Sequence, residues 1–268
     1  MTTAATLAEP LAPLRADPAR SAVLLDVDGT LAPIVRHPGD ATVPEAVRSL
    51  LIAVAKRYGV VACVSGRRAA DARRIVSIGS IAYIGAHGGE LLRPGGVTPE
   101  VDRALEEWTR RVQDFARDAD TAPLSRLRVR LEDKESIVAF HWRGTPDEAA
   151  ARDAVDELAN RAEAVGLSTH WGRKVLEIRP PVKMDKGIGI RRLLREADVG
   201  AALYAGDDAT DLDAFDALDD LAAQGRLEFV VRVGVRSEEG PADIVERADV
   251  VLEGPSELRA LLEALLAD

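Results

Sequence analysis

The chain is poor in cysteine, has no long apolar run and carries no basic excess. Cys63 is the only cysteine among 268 residues. That excludes an intrachain disulfide and a cysteine-based metal cluster. It sits inside Val60-Val61-Ala62-Cys63-Val64 and reads as a small buried hydrophobe. No stretch is long and apolar enough to span a membrane. The first residues lack a basic segment followed by an apolar one, so no signal peptide is expected and a cytoplasmic location is the default. The net charge is −10 with no dominant basic face. This argues against a nucleic acid or an anionic membrane as partner, although a local cation cluster could still bind a small anion. Internal repeats and low-complexity segments are also missing. What remains is 47% hydrophobic and 30% charged residues, enough for a globular core.

The stretch around which the rest is organised is 21–31. An apolar run, Ala22 to Leu25, ends in Asp26 and Asp28, followed by Gly29 and Thr30. A short apolar run reads as a strand buried on both faces. Open α/β sheets bind ligands at the carboxyl ends of such strands. Two carboxylates there repel unless a cation or donors compensate. A polar turn is the alternative, since Asp-Gly is a common turn pair.

Further along, strand, polar tip and helix recur. Val60–Val64 leads into Ser65-Gly66-Arg67, Ile81–Ile84 leads into Gly85 to Glu90, and Ala201–Ala205 leads into Gly206 to Asp211. That rhythm predicts a parallel sheet with crossover helices. Between them the pattern changes. Two helices and two strand pairs read as an α+β insert, with turns at Glu132-Asp133-Lys134 and Gly172-Arg173. The expected organisation is a leader at 1–20, an α/β core at 21–100 and 183–268, and a cap at 101–182 that sets substrate specificity.

In a parallel sheet the polar tips share one edge. Asp26, Asp28, Ser65, Lys186, Asp207, Asp208 and Asp211 are thereby expected to meet. Carboxylates without His or Cys favour Mg²⁺ over zinc. A hydroxyl and an ammonium beside them suit phosphoryl oxygens. An aspartate there can attack phosphorus. Lys186 as a solvated helix-start charge and Ser65 as a helix cap are the plainer alternatives.

These residues resemble the haloacid-dehalogenase superfamily of aspartate-nucleophile phosphatases, through DVDGT at 26–30, Ser65, Lys186 and GDDATD at 206–211. Within it the chain is similar to the trehalose-6-phosphate phosphatases, through LDVDGTLAPI at 25–34, SGR at 65–67, GAHGGEL at 85–91, LEDKE at 131–135, HWR at 141–143, KVLEIRP at 174–180 and GDDATDLDAF at 206–215. The resemblance implies a Rossmann-like core of the haloacid-dehalogenase type with an inserted α+β cap. It also implies Mg²⁺-dependent hydrolysis of trehalose 6-phosphate through an aspartyl-phosphate. Asp26 would be nucleophile and metal ligand. Asp28 would be general acid and then base, its backbone carbonyl also on Mg²⁺. Asp207 would be the third ligand, with Asp208 and Asp211 in support. Ser65 and Lys186 would hold phosphoryl oxygens.

For the sugar, Lys134, Arg143, Lys174, Glu177 and Arg179 of the insert are candidates, with Arg67, His87 and Glu90 on core loops. Strand alternation puts Lys174, Leu176 and Ile178 on one face and Val175, Glu177 and Arg179 on the other. Glu177 is therefore either paired with an arginine or aimed at a ligand; the resemblance favours the ligand. His87 reads equally as a loop residue satisfied by backbone. Trp108, Trp142 and Trp171 read as packing. Leu212 stands where the family often has an acidic residue. The remaining alternatives are a phosphatase for a related phosphorylated disaccharide or pseudo-disaccharide, and a silent regulator paired with a trehalose-phosphate synthase.

Overall fold

The computed structural model describes residues 4–35, 38–119, 122–133, 136–182, 184–237 and 240–267. Contacts divide the chain into two units, Met1–Glu100 with Met184–Asp268, and Val101–Lys183. Among the described residues no helix is long and apolar enough to cross a membrane.

The first unit is built on strands β1 (Ser21–Asp26), β2 (Val60–Val64), β3 (Ala82–Gly85) and β4 (Glu90–Leu92), and β5 (Glu100–Val101) falls at the boundary of the two units in the chain. The second contributes β6 (Arg130–Asp133), β7 (Val138–His141), β8 (Ser168–Gly172) and β9 (Val175–Arg179). The first then resumes with β10 (Ala201–Gly206), β11 (Phe229–Val235) and β12 (Val250–Leu252). The larger sheet has the order β12-β11-β10-β1-β2-β3-β4-β5. Pairing is parallel from β12 to β3 and turns antiparallel between β3 and β4.

All six residues of β1 are buried, because helices cover both faces of the sheet. On one face Val23, Leu25, Cys63 and Leu203 pack with Leu51 and Leu262. On the other, Ala22, Leu24, Ala62 and Tyr204 pack with Ile190 and Phe215. Alternation carries Asp26 onto this second face, the one covered by helices Lys186–Arg195 and Asp211–Ala223. In register, Asp26 lies level with Val64, and Leu25 with Ala205. Ser65 and Asp207 therefore leave their strands at the same edge.

Residues 4–20, within the expected leader, are structured. Helices Ala4–Ala8 and Ala12–Ala16 form there, and Leu7, Leu11 and Leu14 are fully buried in the first core. Their spacing is helical, but Pro10, Pro13 and Pro18 mask it in the sequence.

The second unit is an antiparallel sheet of order β6-β7-β9-β8. Val138, Phe140, Leu176 and Ile178 form its apolar face, packed with Val112 of helix Arg103–Ala119 and Val155 and Leu158 of helix Glu148–Ala164. Both turns differ from expectation. Glu132 and Asp133 lie within β6, and Lys134 falls outside the described residues. Gly172 pairs with Val175, so the second turn is Arg173-Lys174, with Lys174 at φ 61. Lys174 thus leaves the strand face it was expected to share with Leu176 and Ile178.

Candidate functional site

At the end of β1, Asp26 is 3% exposed. Its Oδ1 accepts the Lys186 ammonium at 2.8 Å. Lys186 opens its helix, with Asp185 as N-cap accepting the N–H of Ile188. The same ammonium donates to Asp211 Oδ1 at 2.6 Å and lies 3.7 Å from Asp208. Burial works against the charge on Lys186, but Asp26, Asp211 and Asp208 outweigh it and hold its pKa above the usual value. Burial pushes Asp26 well above the carboxylate range, and Lys186 offsets part of that push.

One oxygen each from Asp26, Asp207 and Asp211 lies within 4.8 Å of the other two. Their free capacities differ. Asp211 accepts four donors: Lys186 and the Tyr204 hydroxyl on Oδ1, and the N–H groups of Asp207 and Asp208 on Oδ2. Four donors fill a carboxylate. Asp26 Oδ2, by contrast, is buried without a hydrogen-bond partner. Asp207 has a hydrogen bond from Thr30 Oγ1 at 3.3 Å. Burial, then the charges of Asp211 and Asp208, push its pKa from 3.8 to about 7. A hard divalent cation fits the orphaned oxygen of Asp26 and the carboxylate of Asp207, while Asp211 organises the loop. Gly29 makes this approach possible. It turns at φ 86, and a Cβ there would lie 2.2 Å from Asp207 Oδ2.

Asp28 is held side-on by Arg67, with Nε to Oδ2 and Nη2 to Oδ1 both 2.7 Å. The pair lines a cavity of about 600 Å³ with Asp207, Asp208, Ile34 and Ser237. Arg67 is therefore beside the site, where it is paired with Asp28. Ser65 is 1% exposed, and its Oγ accepts the N–H of Arg67 at 3.1 Å, which leaves the hydroxyl proton to be donated.

A model of the trehalose-phosphatase family matches residues 24–244. The chain belongs to that family. It is 38% identical over 216 residues to the trehalose-phosphate phosphatase of Mycobacterium avium, which covers 76% of this chain and 53% of that protein. A protein of Mycobacterium tuberculosis named as an uncharacterized glycosyl hydrolase is also 38% identical, over 219 residues, or 74% of this chain and 15% of that one. The chain thus spans about half the length, or less, of these curated relatives. A solved trehalose-6-phosphate phosphatase related protein superposes with a TM-score of 0.61 at 25% identity, covering 91% of this chain and 97% of that one.

The other described residues named as candidates for the sugar have protein partners in this structure. Glu90 is 7% exposed; its Oε2 accepts the N–H of Ala69 at 2.8 Å and its Oε1 lies 3.4 Å from Arg68 Nε. In this structure it caps helix Ala69–Val76. His87 is exposed, at φ 51, with its ring against Gly66, where a Cβ would lie 2.6 Å from Cε1. Glu177 shares the outer face of β9 with Arg179, as alternation predicts, and is paired with it (Nε to Oε2, 3.1 Å). The arginine-paired alternative therefore describes Glu177 in this structure. Lys174 donates to Glu148 at 2.5 Å, and Arg143 to the carbonyl of Arg173 at 3.1 Å. Both lie at the hairpin end of their sheet. Trp142 is buried packing, whereas Trp171 is 36% exposed beneath the Arg152 guanidinium, 4.0 Å from the ring centroid.

Thr30, Tyr204 and Ser237 were not assigned by sequence reasoning. Thr30 stood inside the quoted motif. Ser237 follows β11, and extending the same edge rule to that strand would have found it.

Proposed function

We propose that this chain is a Mg²⁺-dependent phosphatase that hydrolyses trehalose 6-phosphate to trehalose and phosphate. The observation that carries the reading is Asp26 itself, buried, gripped by Lys186 on one oxygen and left without a partner on the other. That is an aspartate prepared for a cation and a phosphoryl group. Its place in a trehalose-phosphatase family member supports the substrate.

Asp26 attacks phosphorus, and the bond from phosphorus to the sugar oxygen breaks as Asp28 protonates that oxygen. Asp28 then takes a proton from water, whose oxygen attacks the aspartyl-phosphate. Phosphate leaves and Asp26 is restored. Ser65 and Lys186 hold the phosphoryl oxygens. Arg67 orients Asp28. Asp26 and Asp207 through carboxylates, and Asp28 through its carbonyl, would hold Mg²⁺, which when bound neutralises charge on the transferring group. The insert supplies specificity.

Phosphate release from trehalose 6-phosphate and glucose 6-phosphate tests the reading. The disaccharide is expected to react faster, and Asp26→Asn to lose activity by on the order of ten thousand-fold. Equal rates for the two sugars remove the substrate assignment. An active Asp26→Asn variant removes the nucleophile.

A further inference from the structure

Tyr204 is a buried titratable group that the chemistry above does not use. It lies on β10 opposite Leu24 of β1 and is fully buried. Its ring meets Phe215 edge-on, with centroids 6.1 Å apart and planes at 86°. A phenylalanine would fill that space equally well, so packing does not explain the hydroxyl. The hydroxyl donates to Asp211 Oδ1, the atom that also accepts Lys186.

Asp211 ties three things together. Through Oδ2 it holds the N–H groups of Asp207 and Asp208, at 2.8 and 2.9 Å. Through Oδ1 it holds Lys186, which also reaches Asp26. Both Asp211 and Tyr204 are fully buried. A carboxylate oxygen that loses a donor in such a place satisfies itself with whatever donor is left. Here that donor is Lys186.

We infer that Tyr204 is a positioning residue: its hydroxyl takes part of the capacity of Asp211 Oδ1, so that Lys186 is shared with Asp26 instead of being drawn onto Asp211. This rests on the phosphoryl-transfer role of Asp26 and Lys186 proposed above. Without the hydroxyl, Lys186 shifts toward Asp211 and away from the phosphoryl oxygens it would meet. Charge on those oxygens matters most in the transition state, so kcat falls and KM does not.

The test is Tyr204→Phe in the full chain, with Mg²⁺ present and with both trehalose 6-phosphate and p-nitrophenyl phosphate as substrates. The expected result is a kcat about tenfold lower, the size of one hydrogen bond to a charged group, with KM changed less than about twofold. Tyr83→Phe is the control. Tyr83 is equally buried and donates to the Ile78 carbonyl at 2.5 Å, away from these carboxylates. It should lower the melting temperature and leave kcat alone. Adding Tyr204→Phe to Asp211→Asn should cost almost nothing more, because the tyrosine acts through Asp211. Wild-type kcat in Tyr204→Phe, or full additivity with Asp211→Asn, overturns the inference while leaving the phosphatase reading intact. A wild-type chain that hydrolyses neither substrate overturns both. One that hydrolyses only p-nitrophenyl phosphate loses the sugar assignment, and the tyrosine is still judged on that substrate.

Discussion

Two sheets in this chain carry charged residues in opposite ways. At the carboxyl edge of the eight-stranded sheet the charges are buried and come from distant parts of the chain. Lys186 and Asp26 have side chains 3% and 4% exposed and are 160 residues apart in sequence. Around the four-stranded sheet the charges stay partly in water. Arg179 and Glu177 are 39% and 16% exposed, two residues apart, and Lys174 and Glu148 are 43% and 38% exposed. Removing charge from water costs several kcal/mol per ion, so a buried cluster persists only when every member is compensated. Exposed pairs carry no such condition and exchange partners at little cost. The first arrangement suits chemistry at a fixed point, and the second suits groups that must trade one hydrogen-bond partner for another.

The largest expected difference between the two comes from Lys186→Met. It leaves Asp26 and Asp211 facing each other in a dry pocket. Breaking a buried pair in this way costs about 3 kcal/mol of stability, read from urea unfolding at neutral pH. Protonation of one carboxylate relieves part of the repulsion, which keeps the loss near that figure. A loss below about 1 kcal/mol would place Lys186 among the exposed pairs and break the contrast.

Asp207 gives the next effect. Without a cation its pKa rises from 3.8 to about 7, through burial first and then Asp211 and Asp208. A raised folded-state pKa contributes stability that is complete below 3.8 and is lost as the pH climbs through about 7. Chelator-treated protein should therefore lose stability across that window, and Mg²⁺ should restore it at the upper end. At about one hundred times Kd the gain is about 2.7 kcal/mol, and Asp207→Asn should abolish most of it. Identical melting curves with Mg²⁺ and with chelator at pH 8 would remove the cation from Asp26 and Asp207.

Much of the buried edge was legible because a strand end is a local signal. Asp26, Ser65 and Asp207 each follow an apolar run, and the parallel register brings the runs level. What was not legible is which of these groups bond to each other. Nothing in GDDATD shows that Asp211 takes Lys186 and Tyr204 while Asp26 keeps one oxygen open. The two helices of residues 4–16 escaped because Pro10 and Pro13 interrupt a helical leucine spacing. Glu90 escaped because capping Ala69 is a tertiary contact 21 residues away. On the other sheet a one-residue shift of the turn was enough to take Lys174 off its strand, whereas Glu177 kept its face. Register there depends on turn geometry, which the residue types of Gly172-Arg173-Lys174 leave open.

Lys174 is also where the contrast is sharpened by its smallest effect. Its ammonium meets Glu148, which at the same time accepts the N–H of Gly144 at 2.9 Å on its other oxygen. Glu148 therefore keeps a partner when the lysine is removed, and water replaces the ammonium. Lys174→Ala should leave the melting temperature unresolved from wild type, since the pair is exposed. It should also leave turnover of p-nitrophenyl phosphate unchanged, because that ester has no sugar to recognise. If Lys174 trades Glu148 for sugar hydroxyls when substrate binds, KM for trehalose 6-phosphate rises about tenfold, the value of one charged hydrogen bond. An unchanged KM would mean that Lys174 serves only its hairpin and does not read the sugar.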